Sequence, residues 1–174
     1  MFHLPPRRRA ILLFVAAATA AFPGPVVAQA KSTLTRAAQS LLVGRWELDL
    51  TRMPDGYGPP PRRVVYDFQD TGGGRSRLTV DVTAPDESVR HMVLTYRPDG
   101  IAAYGEADTS EADSAAILTP APNVLVMNLA KDKRPASVRV YTVSTDGKNM
   151  TESAAAINER GEPVIRTFYY RRLH

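Results

Sequence analysis

From residue 44 onward the apolar residues repeat with a period of two, and turn-forming residues interrupt them at intervals of roughly 8–12 positions. That rhythm leaves a chain little choice beyond short strands joined by tight hairpins. It predicts strands near Gly44–Leu50, Arg62–Gln69, Arg75–Thr83, Val89–Tyr96, Ile101–Glu106, Ser114–Thr119, Val124–Leu129, Ser137–Ser144, Met150–Ile157 and Val164–Arg172. The joints are Asp70-Thr-Gly-Gly-Gly74, Ala84-Pro-Asp-Glu-Ser88, Arg97-Pro-Asp-Gly100, Pro120-Ala-Pro-Asn123, Thr145-Asp-Gly-Lys148 and Asn158-Glu-Arg-Gly-Glu-Pro163. Asp-Gly and Gly-rich pairs supply the positive φ of tight turns, and proline presets the corner. Connections this short cannot cross over a sheet, so neighbouring strands pair antiparallel. The expected fold is all-β, an antiparallel up-and-down barrel of about 8–10 strands.

Alternation proposes the inner wall. Leu78 and Val80 oppose Arg77 and Thr79, and Val138 and Val140 oppose Arg139 and Tyr141. Extended in this way, the wall is Tyr66, Phe68, Leu78, Val80, Leu94, Tyr96, Val138, Val140 and Phe168. A one-residue error in register exchanges the faces. Val64–Phe68 and Phe168-Tyr169-Tyr170 are apolar on both faces, so each needs cover on the outside as well.

Residues 1–30 have the order of a secretory signal: Arg7-Arg8-Arg9, an apolar run from Ala10 to Phe22, then Ala28-Gln29-Ala30. Cleavage after Ala30 is expected, with general secretion favoured over the twin-arginine route. The apolar run is shorter than the ~20 residues a bilayer span requires. The expected location is therefore outside the cytoplasm, in a periplasm or beyond the cell, without a stable membrane anchor. Residues 31–43 place Leu34, Ala37, Ala38, Leu41 and Leu42 at helical spacing, which predicts a short helical lead-in to a domain at 44–174.

Charge narrows the partners. The chain has 22 basic and 18 acidic side chains, a net charge of +4. The three arginines of the leader account for most of the excess, and the remainder is nearly balanced. No nucleic-acid partner is expected from so even a surface. The absence of cysteine excludes disulfides, thiolate metal sites and cysteine nucleophiles.

Candidate chemistry is sparse. His91 alternates with Val89 and Val93 and has no histidine partner apart from the terminal His174, which argues against a general base or a metal centre. Asp70-Thr71-Gly72 copies the triplet of aspartic proteases, but it occurs once and sits in a turn. Glu106, Asp108, Glu111 and Asp113 form an acidic stretch without the pattern of a calcium loop. Arg62-Arg63 and Arg75-Arg77 suggest either a small anion patch or strand-edge charges. No cofactor, no metal and no enzymatic activity are expected.

The segment Leu42-Val-Gly-Arg-Trp-Glu-Leu-Asp-Leu50 resembles the first strand of lipocalin-like proteins, which carry Gly-x-Trp near the start of the mature chain. Val93–Gly100, Asp108-Thr109, Tyr141–Thr151 and Gly161–Arg171 follow in the order seen in small exported bacterial domains of that kind. The resemblance spans about residues 42–172. It implies a barrel with an apolar interior, closed at one end by Gly44 and Trp46 beneath a basic side chain from a late strand, Arg166 or Arg171. A cation over an indole face is worth ~0.5–2 kcal/mol. The sequence departs from secreted animal lipocalins in lacking cysteine, and Thr51–Pro61 is too rich in Pro and Gly for the helical lid of intracellular lipid-binding relatives. The expected function is binding of a small apolar or amphipathic molecule inside the barrel. The alternative is a cell-envelope interaction module with a solid core, using Thr51–Pro61 or the acidic stretch as its contact surface. Neither the ligand nor any protein partner can be named from these residues.

Overall fold

The computed structural model describes residues 41–174. The strands are β1 (Gly44–Leu48), β2 (Arg63–Gly72), β3 (Arg75–Thr83), β4 (Val89–Tyr96), β5 (Asp99–Ala107), β6 (Ser114–Ala121), β7 (Val124–Lys131), β8 (Arg134–Val143), β9 (Asn149–Ile157) and β10 (Pro163–Leu173). One turn of 3-10 helix lies at Leu50–Arg52. Each strand pairs antiparallel with its neighbour in sequence, and β1 also pairs with β10, so the ten strands form a closed barrel. The leader and all but the last three residues of the 31–43 segment lie outside the described residues.

Closure leaves no free sheet edge, which matters in a chain with no disulfide to hold it. At the seam Trp46 stands opposite Arg172 on one side and Tyr66 on the other. The barrel interior is closely packed around Trp46. Trp46, Ile117, Leu125, Tyr141, Val143 and Met150 are all at most 1% exposed there.

The plug at the Trp46 end has a definite construction. The Trp46 indole donates from Nε1 to the Leu42 carbonyl at 3.0 Å, and the Arg172 guanidinium lies 4.1 Å over its ring. Arg172 in turn donates to three carbonyls, those of Gly147 at 2.6 Å, Val43 at 2.7 Å and Leu41 at 2.6 Å. Gly44 has φ +130°, and a Cβ there would overlap Arg172 Nη1. The spacing of the Gly-x-Trp motif follows: the glycine clears a path for the cation that covers the tryptophan.

This arrangement corrects the expected partner of Trp46. Arg171 points out of the barrel and pairs with Asp49 at 3.1 Å. Arg166 lies at the far end, 5.6 Å over the Tyr57 ring. The three arginines of β10, Arg166, Arg171 and Arg172, cannot be told apart by composition, and only the register Trp46↔Arg172 picks one.

The outer cover expected for Phe168–Tyr170 comes in part from the 3-10 turn, whose Arg52 guanidinium lies 3.3 Å over the Tyr169 ring.

Candidate functional site

At the end opposite Trp46 the barrel is open, and its interior holds a cavity of about 390 Å³. Val64, Val80, Val82, Ala154 and Phe168 form an apolar collar around it, while Tyr66, Arg139, Glu152 and Tyr170 form its base. Tyr57, from the long loop before β2, reaches the mouth and packs edge-on against Phe168 with ring centroids 5.5 Å apart. The Pro- and Gly-rich loop that cannot make a helical lid thus contributes one aromatic side chain as a partial cover.

The base is the chemically distinctive part. Glu152 is 2% exposed, the only buried charged residue among those described. Its Oε2 accepts a 2.6 Å hydrogen bond from the Tyr170 hydroxyl, and its Oε1 lies 3.3 Å from Arg139 Nη1. Arg139 also donates from Nη1 to the Tyr66 hydroxyl at 3.3 Å and from Nε to Ser137 Oγ at 3.4 Å. Its Nη2 is paired with Glu111, which reaches in from the loop between β5 and β6. Tyr66 stands at the centre of the aromatic packing, with ring centroids 5.1 Å from Tyr170 and 5.9 Å from Tyr141.

Burial dominates the acid–base behaviour of this cluster. It pushes the Glu152 carboxyl above the ordinary carboxylate range, against the opposing pull of Arg139 and the Tyr170 hydroxyl. It raises the Tyr66, Tyr141 and Tyr170 hydroxyls as well, with the Glu152 charge adding to the rise, so these groups stay protonated donors. Burial works against the Arg139 cation, but Tyr66, Tyr141, Glu152 and Glu111 around it outweigh that cost and hold its pKa well above the usual arginine value.

A pH dependence follows. A carboxyl whose pKa is higher folded than unfolded binds its proton more tightly in the native state. The stability tied to Glu152 therefore falls as pH rises from the unfolded value near ~4.3 through the folded one, and is level above it. Glu152→Gln, which mimics the protonated form, should gain stability relative to the wild type across that window. Thermal melts of both proteins from pH 4 to pH 8 measure it, and a difference independent of pH would contradict the assignment.

The structure distributes the nine wall residues read from alternation over several places. Tyr66, Val80 and Phe168 border the open-end cavity. Leu78 and Leu94, with Tyr66 and Val80, border a smaller space of about 80 Å³ deeper in the barrel. Phe68 and Tyr96 line a separate depression of about 370 Å³ at the Trp46 end, among Pro98, Pro120 and Pro122. No buried charged group converges on that depression, so the open-end cavity is the stronger candidate.

Val138 and Val140 are not wall residues. Val138 is 42% exposed on the outer face, level with Ala155 of β9, which is itself opposite Ile165 of β10. The inner face of β8 carries Ser137, Arg139, Tyr141 and Val143 instead. Hydrophobicity points the wrong way on this strand because its inward face is where the polar cluster sits. Alternation therefore does not assign Arg139, Tyr141, Glu152 or Tyr170 to the site, and Glu111 enters the sequence reading only as part of the acidic stretch. Their signal is positional: each strand residue among them shares inward parity with a buried neighbour, as Glu152 does with Met150.

The other candidates lie outside this cavity. His91 Nδ1 is 2.5 Å from Asp81 Oδ1, directly across β3 and β4 on the outer face, with about half of each side chain exposed. Asp70 accepts from the Gly72 amide at 2.8 Å within an exposed turn. In the acidic stretch, Asp108 accepts from Ser110 at 2.8 Å and Asp113 from the Asp132 amide at 2.7 Å, while Glu111 alone turns inward to Arg139. Among the described residues no three His, Cys, Asp or Glu side chains gather to hold a metal ion. Arg62-Arg63 and Arg75-Arg77 make no common patch: Arg63 opposes Thr83 and Arg75 opposes Gly72, at opposite ends of the barrel.

No protein-family model matches the sequence, and no curated protein does. A solved structure of a variant of the fluorescent protein UnaG is similar in fold, with a TM-score of 0.54 and 12% identity, over 77% of this chain and 97% of that one. At this identity the likeness shows the fold alone, and it agrees with the closed antiparallel barrel implied by the lipocalin-like resemblance.

Proposed function

We propose that this protein binds a small amphipathic molecule in the open-end cavity and acts as an exported lipocalin-like carrier or scavenger, not as an enzyme. One observation carries the reading: a cavity of about 390 Å³ joins an apolar collar to a buried set of hydrogen-bonding side chains. Ligand sites have that volume range and that division of labour, with apolar burial supplying affinity and a few polar groups fixing orientation. On this reading the first 30 residues are a leader, and the protein recovered from its host begins at Lys31.

Titration of the purified protein with Nile red, a neutral dye that brightens in apolar surroundings, tests the binding. Saturable, one-to-one brightening is expected. Trp46 is 0% exposed at the opposite end, so its emission reports the fold and not the ligand. Tyr57→Ala removes the aromatic cover and should raise the dye's Kd about 3–10-fold, the equivalent of an aromatic contact. Brightening that never saturates would end the carrier reading.

The envelope-module alternative draws support from a different observation. Val138, Ile157 and Ile165 are 42%, 65% and 74% exposed on the outer face of β8–β10, a place where a partner could bury apolar surface.

A further inference from the structure

The base of the open-end cavity has one cation, Arg139, set between two carboxylates, Glu111 and Glu152. Four of the five N–H groups of the guanidinium have partners: Nε has Ser137, Nη1 has Tyr66 and Glu152, and Nη2 has Glu111. A ligand carboxylate arriving at this base finds a cation already paired with two carboxylates. To reach Arg139 it must share Nη2 with Glu111 or displace it, and stand beside Glu152, which is buried and cannot move into water. A hydroxyl, amide or ammonium meets the opposite situation. Glu111 commits only Oε1 to Arg139, so its second oxygen is an acceptor at the cavity base for an incoming donor.

The rim does not reverse this balance. Arg90 lies 3.9 Å from Asp108, and Arg166 lies over the Tyr57 ring, both in contact with water. Exposed charges of this kind are screened and contribute little to selectivity.

We infer that the cavity selects amphipaths whose polar end is neutral or cationic and donates hydrogen bonds, and that it discriminates against the carboxylate of the same chain length. This deepens the proposed function and rests on it.

Displacement of Nile red from the full chain by decan-1-ol, decylamine and decanoate at pH 7.5 tests the inference. The alcohol is expected to displace the dye at a concentration at least ten times lower than decanoate, with the amine on the alcohol's side. Glu111→Gln removes one of the two carboxylates at a half-exposed position the fold tolerates, and should narrow the alcohol-to-carboxylate gap about threefold or more. Decanoate equal to or better than decanol would overturn the selectivity while leaving saturable dye binding, and hence the proposed function, in place. Dye that does not bind saturably would remove the proposed function itself, and the selectivity with it.

Discussion

Trp46→Ala should lower the unfolding free energy by about 3–5 kcal/mol, a large part of the 5–15 kcal/mol typical of a single domain. The side chain is 0% exposed and sits where the barrel interior is closely packed, so little around it can relax into the vacated space. The truncation also strips the Leu42 carbonyl of its indole donor and the Arg172 guanidinium of the ring beneath it. Urea unfolding followed by far-ultraviolet circular dichroism measures the loss. Phe168→Ala is the matched control: its ring is 9% exposed and already borders the cavity, so water or its neighbours can occupy the freed volume. It should cost clearly less than Trp46→Ala. Equal losses would mean that the Trp46 plug holds the barrel no more firmly than its cavity wall.

That plug shows what a linear sequence can reveal about this fold. Turn chemistry at Asp99-Gly100 and Asp146-Gly147 marks hairpins unambiguously, because positive φ at a glycine is a local requirement, and Gly100 and Gly147 do adopt φ of +79° and +68°. Six of the nine connections carry turn signals of this kind or a proline corner, enough for an antiparallel barrel of about 8–10 strands; the β7–β8 turn carries none, because its positive φ falls on Asp132 and Lys133. The residue that covers Trp46 does not follow from such joints, since Arg166, Arg171 and Arg172 all lie on β10: Arg171 faces outward, and Arg166 shares the face of Arg172 but lies toward the other end of the strand. Parity between β1 and β10 is a property of barrel closure and is written in no local segment.

The site was less readable for a related reason. Alternation locates an interior by assuming it is apolar, and on β2, β3 and β4 that assumption holds for Tyr66, Leu78, Val80 and Leu94. On β8 the barrel inverts it: Arg139 and Tyr141 face in, Val138 faces out. A strand that breaks the pattern is where stability has yielded to something else, which is the usual mark of a functional position. Glu152 repeats the sign on β9, an acid enclosed between Met150 and Ala154 on the inner face.

The largest effect at the site itself should come from Arg139. Arg139→Ala leaves Glu152 buried with neutral tyrosine hydroxyls, those of Tyr170 and Tyr66, as its remaining partners and no cation, and breaking a buried pair from one side costs about 3–5 kcal/mol. The cost should depend on pH. Without the cation the Glu152 carboxyl can escape its charge only by taking up a proton, so the loss is full near pH 8 and shrinks toward pH 5. Replacing both partners with methionine removes the unpaired charge along with the attraction. Such exchanges are often neutral or stabilising by about 1–4 kcal/mol, and Arg139→Met with Glu152→Met should therefore be much more stable than Arg139→Ala and approach the wild type. Glu111 is 47% exposed and regains water when Arg139 is lost, so it adds little to either variant. Urea midpoints of the two variants and the wild type at pH 5 and pH 8 decide the matter. A double variant as unstable as the single one would mean that the pair holds the barrel together. The expected result, a stable barrel without the pair, would leave binding as the reason this chain encloses two charges at the base of its cavity.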